Sequence, residues 1–203
     1  MDLKSSGRLI LILSDQQKLA MCEHVKKVSL GAITNPDGGM CLFNCIVGGY
    51  YLHQLEIPCG IVGGSMLWES HDYGDGSHHV LEYRWDPLSP RSQAALAKGS
   101  LPEVHCWIVV DNLDETYSVV DFSTAHFPEQ LAELDPEGVG WSKPPPPPYL
   151  WATHDDLPKE ACYTVDPHAT VCVREFVTAF SRHTSHLRDS IHREKPIKEV
   201  LCI

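Results

Sequence analysis

Between Met40 and Leu55 apolar side chains stop alternating with polar ones. Leu42, Phe43, Cys45, Ile46, Val47, Tyr50, Tyr51, Leu52 and Leu55 cover every side of a helix, and no charge interrupts them before Glu56. A helix apolar all round is a buried one. Gly48 and Gly49 in its middle each cost about 1 kcal/mol relative to Ala, which points to an element packed closely against them. Upstream, Ser14 and Gln17 have the spacing of a capping box, and Leu19, Cys22, His24 and Val25 carry a helix to about Gly31. Leu9–Leu13 reads as a short strand or as the lead-in to that helix. Asn35-Pro36-Asp37-Gly38-Gly39 is turn chemistry that no regular element tolerates.

Downstream, Pro58 stops the buried helix, and Cys59–Trp68 and Val80–Trp85 read as strands around a polar turn from His71 to His79. Val104–Asp111 and Thr116–Ser123 are two further β-rich runs joined by a short polar loop. A helix is expected near Pro128–Leu134, and prolines 144–148 form a stiff polyproline II connector. Val173, Phe176, Val177 and Phe180 then share one face of an amphipathic helix, ahead of a His/Arg/Lys-rich tail. Segments 86–100 and 135–170 carry no pattern from which an element follows. The pattern predicts an α+β chain with a buried helix packed on an antiparallel β-sheet.

The two β-rich runs bring a base to an acid. With the turn centred on Leu113, His105 lies opposite Asp121, Trp107 opposite Val119 and Val109 opposite Tyr117, all on one face. Directly opposed Cβ atoms are about 5 Å apart, close enough for a carboxylate to accept a hydrogen bond from an imidazole. A slip of one residue would put the pair on opposite faces. Cys41 follows the glycine-rich turn and lies in the first turn of the buried helix. Unpaired N–H groups and the helix dipole favour an anion there, which predicts a lowered thiol pKa. A neighbouring imidazolium would lower it further. The backbone amides of Cys41 or Leu42 are candidates for holding an oxyanion, with the side chains of Asn35 and Asn44 as further candidates and Trp107 as core or cleft wall. Cys41, His105 and Asp121 together have the parts of an acyl-transfer triad: nucleophile, base and orienting acid.

Gly39-Met40-Cys41, Cys45 four residues on, and Glu56-Ile57-Pro58 before an Ile61–Gly64 strand resemble the nucleophile helix of the papain/transglutaminase-like cysteine superfamily. That family shows Gly-x-Cys, a small residue four positions later, and Gly-Ile-Pro before a strand. His105-Cys106-Trp107 followed by Val120-Asp121-Phe122-Ser123 is similar to its His-x-Trp and Asp-Pro-Thr segments. The likeness spans roughly residues 35–125 and departs from the pattern at Phe122, where the family has Pro, and at Glu56, where it has Gly. Arylamine N-acetyltransferases share the Gly-Gly-x-Cys start, but Asp37 stands where they carry Arg. A bacterial branch of the superfamily fits these residues better than any named enzyme. The resemblance implies one papain/transglutaminase-like domain over residues 1–203, with a C-terminal helical extension. It also implies hydrolysis of a peptide or other amide, or acyl transfer, by Cys41, His105 and Asp121 without a cofactor.

Composition narrows the partners. A net charge of −11 argues against nucleic acid or an anionic membrane, because phosphate binding needs clustered Lys and Arg. A small-molecule or peptide substrate is expected instead. The eight cysteines are scattered, mostly in apolar runs, as free thiols are when they serve as small core hydrophobes. Leu9–Leu13 is shorter than a signal-peptide core, so a cytoplasmic location is expected. Two rival readings stand beside the triad. One is the same fold as an inactive binding or scaffold module. The other is a metal site built from His71, Asp72, Asp75, His78 and His79, whose donors suit a divalent ion, although Asp72–Ser77 also reads as a solvated hairpin turn. The triad reading calls for no metal, and the oligomeric state stays open.

Overall fold

The computed structural model describes residues 12–32, 40–98, 103–112, 114–138, 140–183 and 185–203. Leu9–Leu11, the Asn35–Gly39 turn, Leu113 and the side chain of Phe180 lie outside the described residues. Helix α1 (Asp15–Ala32) starts at the capping box: the Ser14 N–H donates to Gln17 Oε1 at 3.0 Å and the Gln17 N–H to Ser14 Oγ at 3.3 Å. Helix α2 (Met40–Gln54) is the apolar one. Strands β1 (Cys59–Asp72) and β2 (His78–Tyr83), helix α3 (Pro90–Ala97) and strands β3 (His105–Asp111) and β4 (Tyr117–Asp121) follow. Helix α4 (Phe127–Leu134), strands β5 (Leu150–Thr153) and β6 (Ala161–Val165), and helices α5 (Pro167–His183), α6 (Ser185–Arg193) and α7 (Ile197–Val200) complete the order. The segments that gave no sequence pattern thus hold α3, β5 and β6. Strand β2 starts at His78 rather than Val80, so His71 and Asp72 belong to β1 and the polar turn is shorter than expected. The prolines do act as a pinned connector. The Pro148 carbonyl accepts from Lys26 Nζ at 2.8 Å and Cys22 Sγ at 3.3 Å, and the Pro147 carbonyl from Thr124 Oγ1 at 2.6 Å.

The six strands form one antiparallel sheet in the order β2-β1-β3-β4-β5, with β6 also paired to β1. Strand β1 is the hub: Cys59–Gly64 pair with β3, Gly64–Trp68 with β6 and Met66–Asp72 with β2. The β3–β4 register differs from expectation by two residues. Ile108 pairs with Val120, Val109 with Val119, Val110 with Ser118 and Asp111 with Tyr117, so the turn centres on Asp114 rather than Leu113. The Asn112 N–H closes it onto the Thr116 carbonyl at 3.1 Å, and Glu115 takes φ 68°, a left-handed conformation uncommon outside glycine. Because the displacement is even, every side chain keeps its face.

Alternation along the strands sorts two cores. Cys106, Ile108, Val110, Val120 and Phe122 face the helical layer of α1, α2 and α5. Met66, Trp68, Trp107, Val119 and Tyr163 face the other way and are covered by Phe127 and Leu131 around α4. The sheet is curled toward that second core. Pairing connects β6 to β4 only through β1 and β3, about 14 Å on a flat sheet, yet the Tyr163 hydroxyl on β6 donates to Asp121 on β4 at 2.9 Å. Gly48 accounts for the glycine in α2, since a Cβ there would stand 2.5 Å from Phe122 Cε2 and 3.0 Å from Ile108 Cδ1. Gly49 has no such need, its nearest neighbour being Ile61 at 3.8 Å.

Candidate active site

Cys41 occupies the first turn of α2, which packs on β3, and keeps part of its surface in solvent. His105 opens β3 and Asp121 closes β4, and both are buried, at 2% and 1% exposed. In the observed register they are diagonal neighbours on one face rather than directly opposed. Diagonal positions lie about 7–8 Å apart, within reach of an imidazole and a carboxylate leaning toward each other, and His105 Nε2 meets Asp121 Oδ2 at 2.7 Å. An ionised carboxylate only accepts, so Nε2 carries the proton and Nδ1 is left for the thiol. Cys41 stands close enough to bear on the charge of the ring. The three predicted residues therefore converge.

The rest of the carboxylate is also held. Asp121 Oδ1 accepts the Ser123 N–H at 2.7 Å, and Oδ2 accepts the Tyr163 hydroxyl as well as His105. The imidazole lies among rings: stacked on Trp107 at 6.0 Å and 22°, edge-on to Phe127 at 5.7 Å and tilted against Tyr83 at 5.6 Å. Ser123 was legible as the residue two beyond an Asp, where a side chain closes onto its own backbone. Tyr163 was not, because nothing in Ala161–Val165 relates it to Asp121 until the sheet curls.

Burial opposes a charge on Asp121, but the imidazolium and the bonds from His105, Ser123 and Tyr163 hold its carboxyl below the usual range. Burial likewise pulls His105 down, yet the Asp121 charge and hydrogen bond, with help from Cys41, carry it up to about 10. These contacts favour the charged form of the ring. Cys41 departs from expectation. Its thiol is raised well above the ordinary value by the hydrogen bond to Cys106 and by burial, and His105 only partly pulls it back. The cause is a row of three thiols: Cys41 and Cys45 lie four residues apart on one side of α2, and Cys106 contacts both from β3. The helix start was legible along the chain, whereas its thiol neighbours were not.

The remaining candidates separate. The Leu42 side chain is buried, and its N–H belongs to the first helical turn, where amides lack intrahelical partners. Asn35 lies outside the described residues. Asn44 is buried and donates Nδ2 to the Phe122 carbonyl at 3.3 Å and Ser123 Oγ at 3.4 Å. Its amide therefore ties α2 to the segment after Asp121 and is not free to donate to an oxyanion. Trp107 is 1% exposed behind the imidazole, its indole N–H without a partner, so it is core and not a substrate contact. The His71–His79 group does not converge either. His79 pairs with Asp135 at 3.0 Å, His78 with Glu69 at 3.6 Å and His71 with Ser142 at 2.5 Å, and among the described residues no three His, Cys, Asp or Glu side chains are placed to hold a metal. All eight cysteines are free thiols. No helix among the described residues is long and apolar enough to cross a membrane.

No family model matches the chain, and no curated protein matches it. A solved structure, the crystal structure of genomics APC5867, superposes with a TM-score of 0.52 at 15% identity, covering 89% of this chain and 78% of that one. The likeness is one of fold. It supports an α+β architecture with a curled antiparallel sheet and carries no chemistry to the site.

Proposed function

We propose that this chain is a papain/transglutaminase-like cysteine enzyme that hydrolyses an amide or transfers an acyl group through Cys41, His105 and Asp121. The observation that carries the reading is the 2.7 Å bond between His105 and Asp121, two ionisable groups removed from water beside a thiol at the head of a buried helix. A buried ion pair commonly contributes no more stability than apolar side chains of equal volume, and shifted ionisable groups gather at functional sites. In molecules whose His105 ring is neutral, the ring takes the Cys41 proton; the thiolate so formed attacks the carbonyl carbon of a small-molecule or peptide substrate, and the backbone N–H of Cys41 or Leu42 holds the oxyanion. The His105 imidazolium gives its proton to the leaving amine as the tetrahedral adduct collapses to a thioester. The neutral ring then takes a proton from water or an amine, which opens the thioester to an acid or a new amide. Asp121 fixes the ring's tautomer throughout. Phe122, which stands where the superfamily has Pro, packs on Gly48, so this departure is matched on the facing helix and leaves the triad untouched.

Incubation with p-nitrophenyl acetate tests the reading by mass spectrometry. An acetyl group should accumulate on Cys41, and Cys41→Ser or His105→Ala should abolish it. Iodoacetamide gives a second measure: His105→Ala should slow alkylation of Cys41 about tenfold or more, in line with loss of a catalytic base, and leave the exposed Cys162 and Cys202 unchanged. The raised thiol and the position of the described cavities, none of them lined by the triad, favour a second reading, a binding module with a closed site. Absence of acetyl-Cys41, together with alkylation indifferent to His105, would decide for that module.

A further inference from the structure

We propose that Tyr163 is a positioning residue of this site, its hydroxyl sharing Asp121 Oδ2 with His105 and so setting how firmly the carboxylate holds the imidazole. The inference rests on the triad reading and brings β6, outside the family-like segment 35–125, into the machinery. Tyr163 pairs with Met66 on β1 and is buried, with Trp107 edge-on at 5.2 Å and 78°. Its hydroxyl stands 2.9 Å from Oδ2, and His105 Nε2 stands 2.7 Å from the same oxygen. Ser123 takes only Oδ1, so the phenol and the imidazole compete for one atom.

Two donors on one carboxylate oxygen divide its charge. With the phenol proton present, Asp121 presses less strongly on the imidazole, and His105 gives up its proton more readily than it would to an unshared carboxylate. Take the hydroxyl away and the full charge of Oδ2 falls on Nε2. The imidazolium is then held more tightly, while Asp121, with one donor fewer, is protonated more easily in acid. The ionisable groups that face His105 are Cys41 from α2, Tyr83 from β2, Asp121 from β4 and Tyr163 from β6, with Cys106 next along β3. The Tyr83 hydroxyl is committed to Gln130 at 3.1 Å, so Tyr163 is the phenol that bears on the pair.

Tyr163→Phe tests this in the full chain by NMR titration of the His105 ring, its signal assigned with His105→Gln. The midpoint should rise by about one pH unit, the size of one hydrogen bond to a charged group. Incorporating 4-aminophenylalanine at 163 keeps the ring and a donor that does not ionise, weaker than the phenol, so the midpoint should rise by less than in Tyr163→Phe; this variant answers the question even where Tyr163→Phe does not fold. A purely structural tyrosine would change the melting temperature and leave both midpoints in place. Unchanged midpoints, with Cys41 alkylation still dependent on His105, would overturn this proposal alone. Alkylation that ignores His105 would overturn the triad reading, and this proposal with it.

Discussion

Replacing Asp121 by Asn keeps the shape of the buried acceptor and removes its charge. In the native protein burial works against a charged His105, and Asp121 more than offsets it, lifting the ring from an ordinary 6.5 to about 10. That gap corresponds to about 5 kcal/mol favouring the imidazolium in the folded state. A raised pKa stabilises the fold fully below the unfolded value and less as pH climbs toward the folded one. The contribution of His105 is therefore complete below about pH 6.5, falls to roughly 3 kcal/mol at pH 8 and vanishes above pH 10. Asp121 has the opposite sign: its lowered pKa contributes above 3.8 and is lost as pH falls through the folded value. The deficit of Asp121→Asn should thus peak between about pH 4 and 6.5, near the 3–5 kcal/mol typical of breaking a buried pair, and shrink steadily toward pH 10. Urea unfolding of both proteins at pH 6, 8 and 10, followed by far-ultraviolet circular dichroism, measures it; groups that titrate alike in both cancel in the difference. A deficit constant across the three pH values would refute the ion pair as the source of the shift.

The glycines of α2 give a paired prediction. Gly48→Ala drives a methyl into Phe122 and Ile108 and should destabilise by about 1–3 kcal/mol, whereas Gly49→Ala, with 3.8 Å of clearance, should be neutral or stabilise by up to about 1 kcal/mol; thermal unfolding of the two variants compares them directly. Cys106→Ala removes the largest cause raising the Cys41 thiol, so the midpoint of the pH–rate profile for iodoacetamide at Cys41 should move down. A profile that stays put would exclude Cys106 as that cause.

Where the determining contacts are local, the sequence was sufficient. Ser14 and Gln17 start α1 because both partners of the capping box lie within one turn. The apolar surface of α2 put Leu42, Cys45, Val47, Tyr51 and Leu52 in the interior, but not every side of the helix, since Tyr50 stays exposed. The shared face of His105 and Asp121 also followed from period-two alternation, and it survived a register error because that error was even. The register itself was beyond reach, since it depends on Glu115 accepting φ 68°, a conformation its side chain does not advertise. Whatever joined distant segments was likewise decided by tertiary structure. Tyr163 comes within hydrogen-bonding range of Asp121 only because the sheet curls, and the Cys41 thiol is raised because packing α2 on β3 sets it against Cys106. A pKa records the summed field of every neighbour, and most of these neighbours are close in space while remote along the chain.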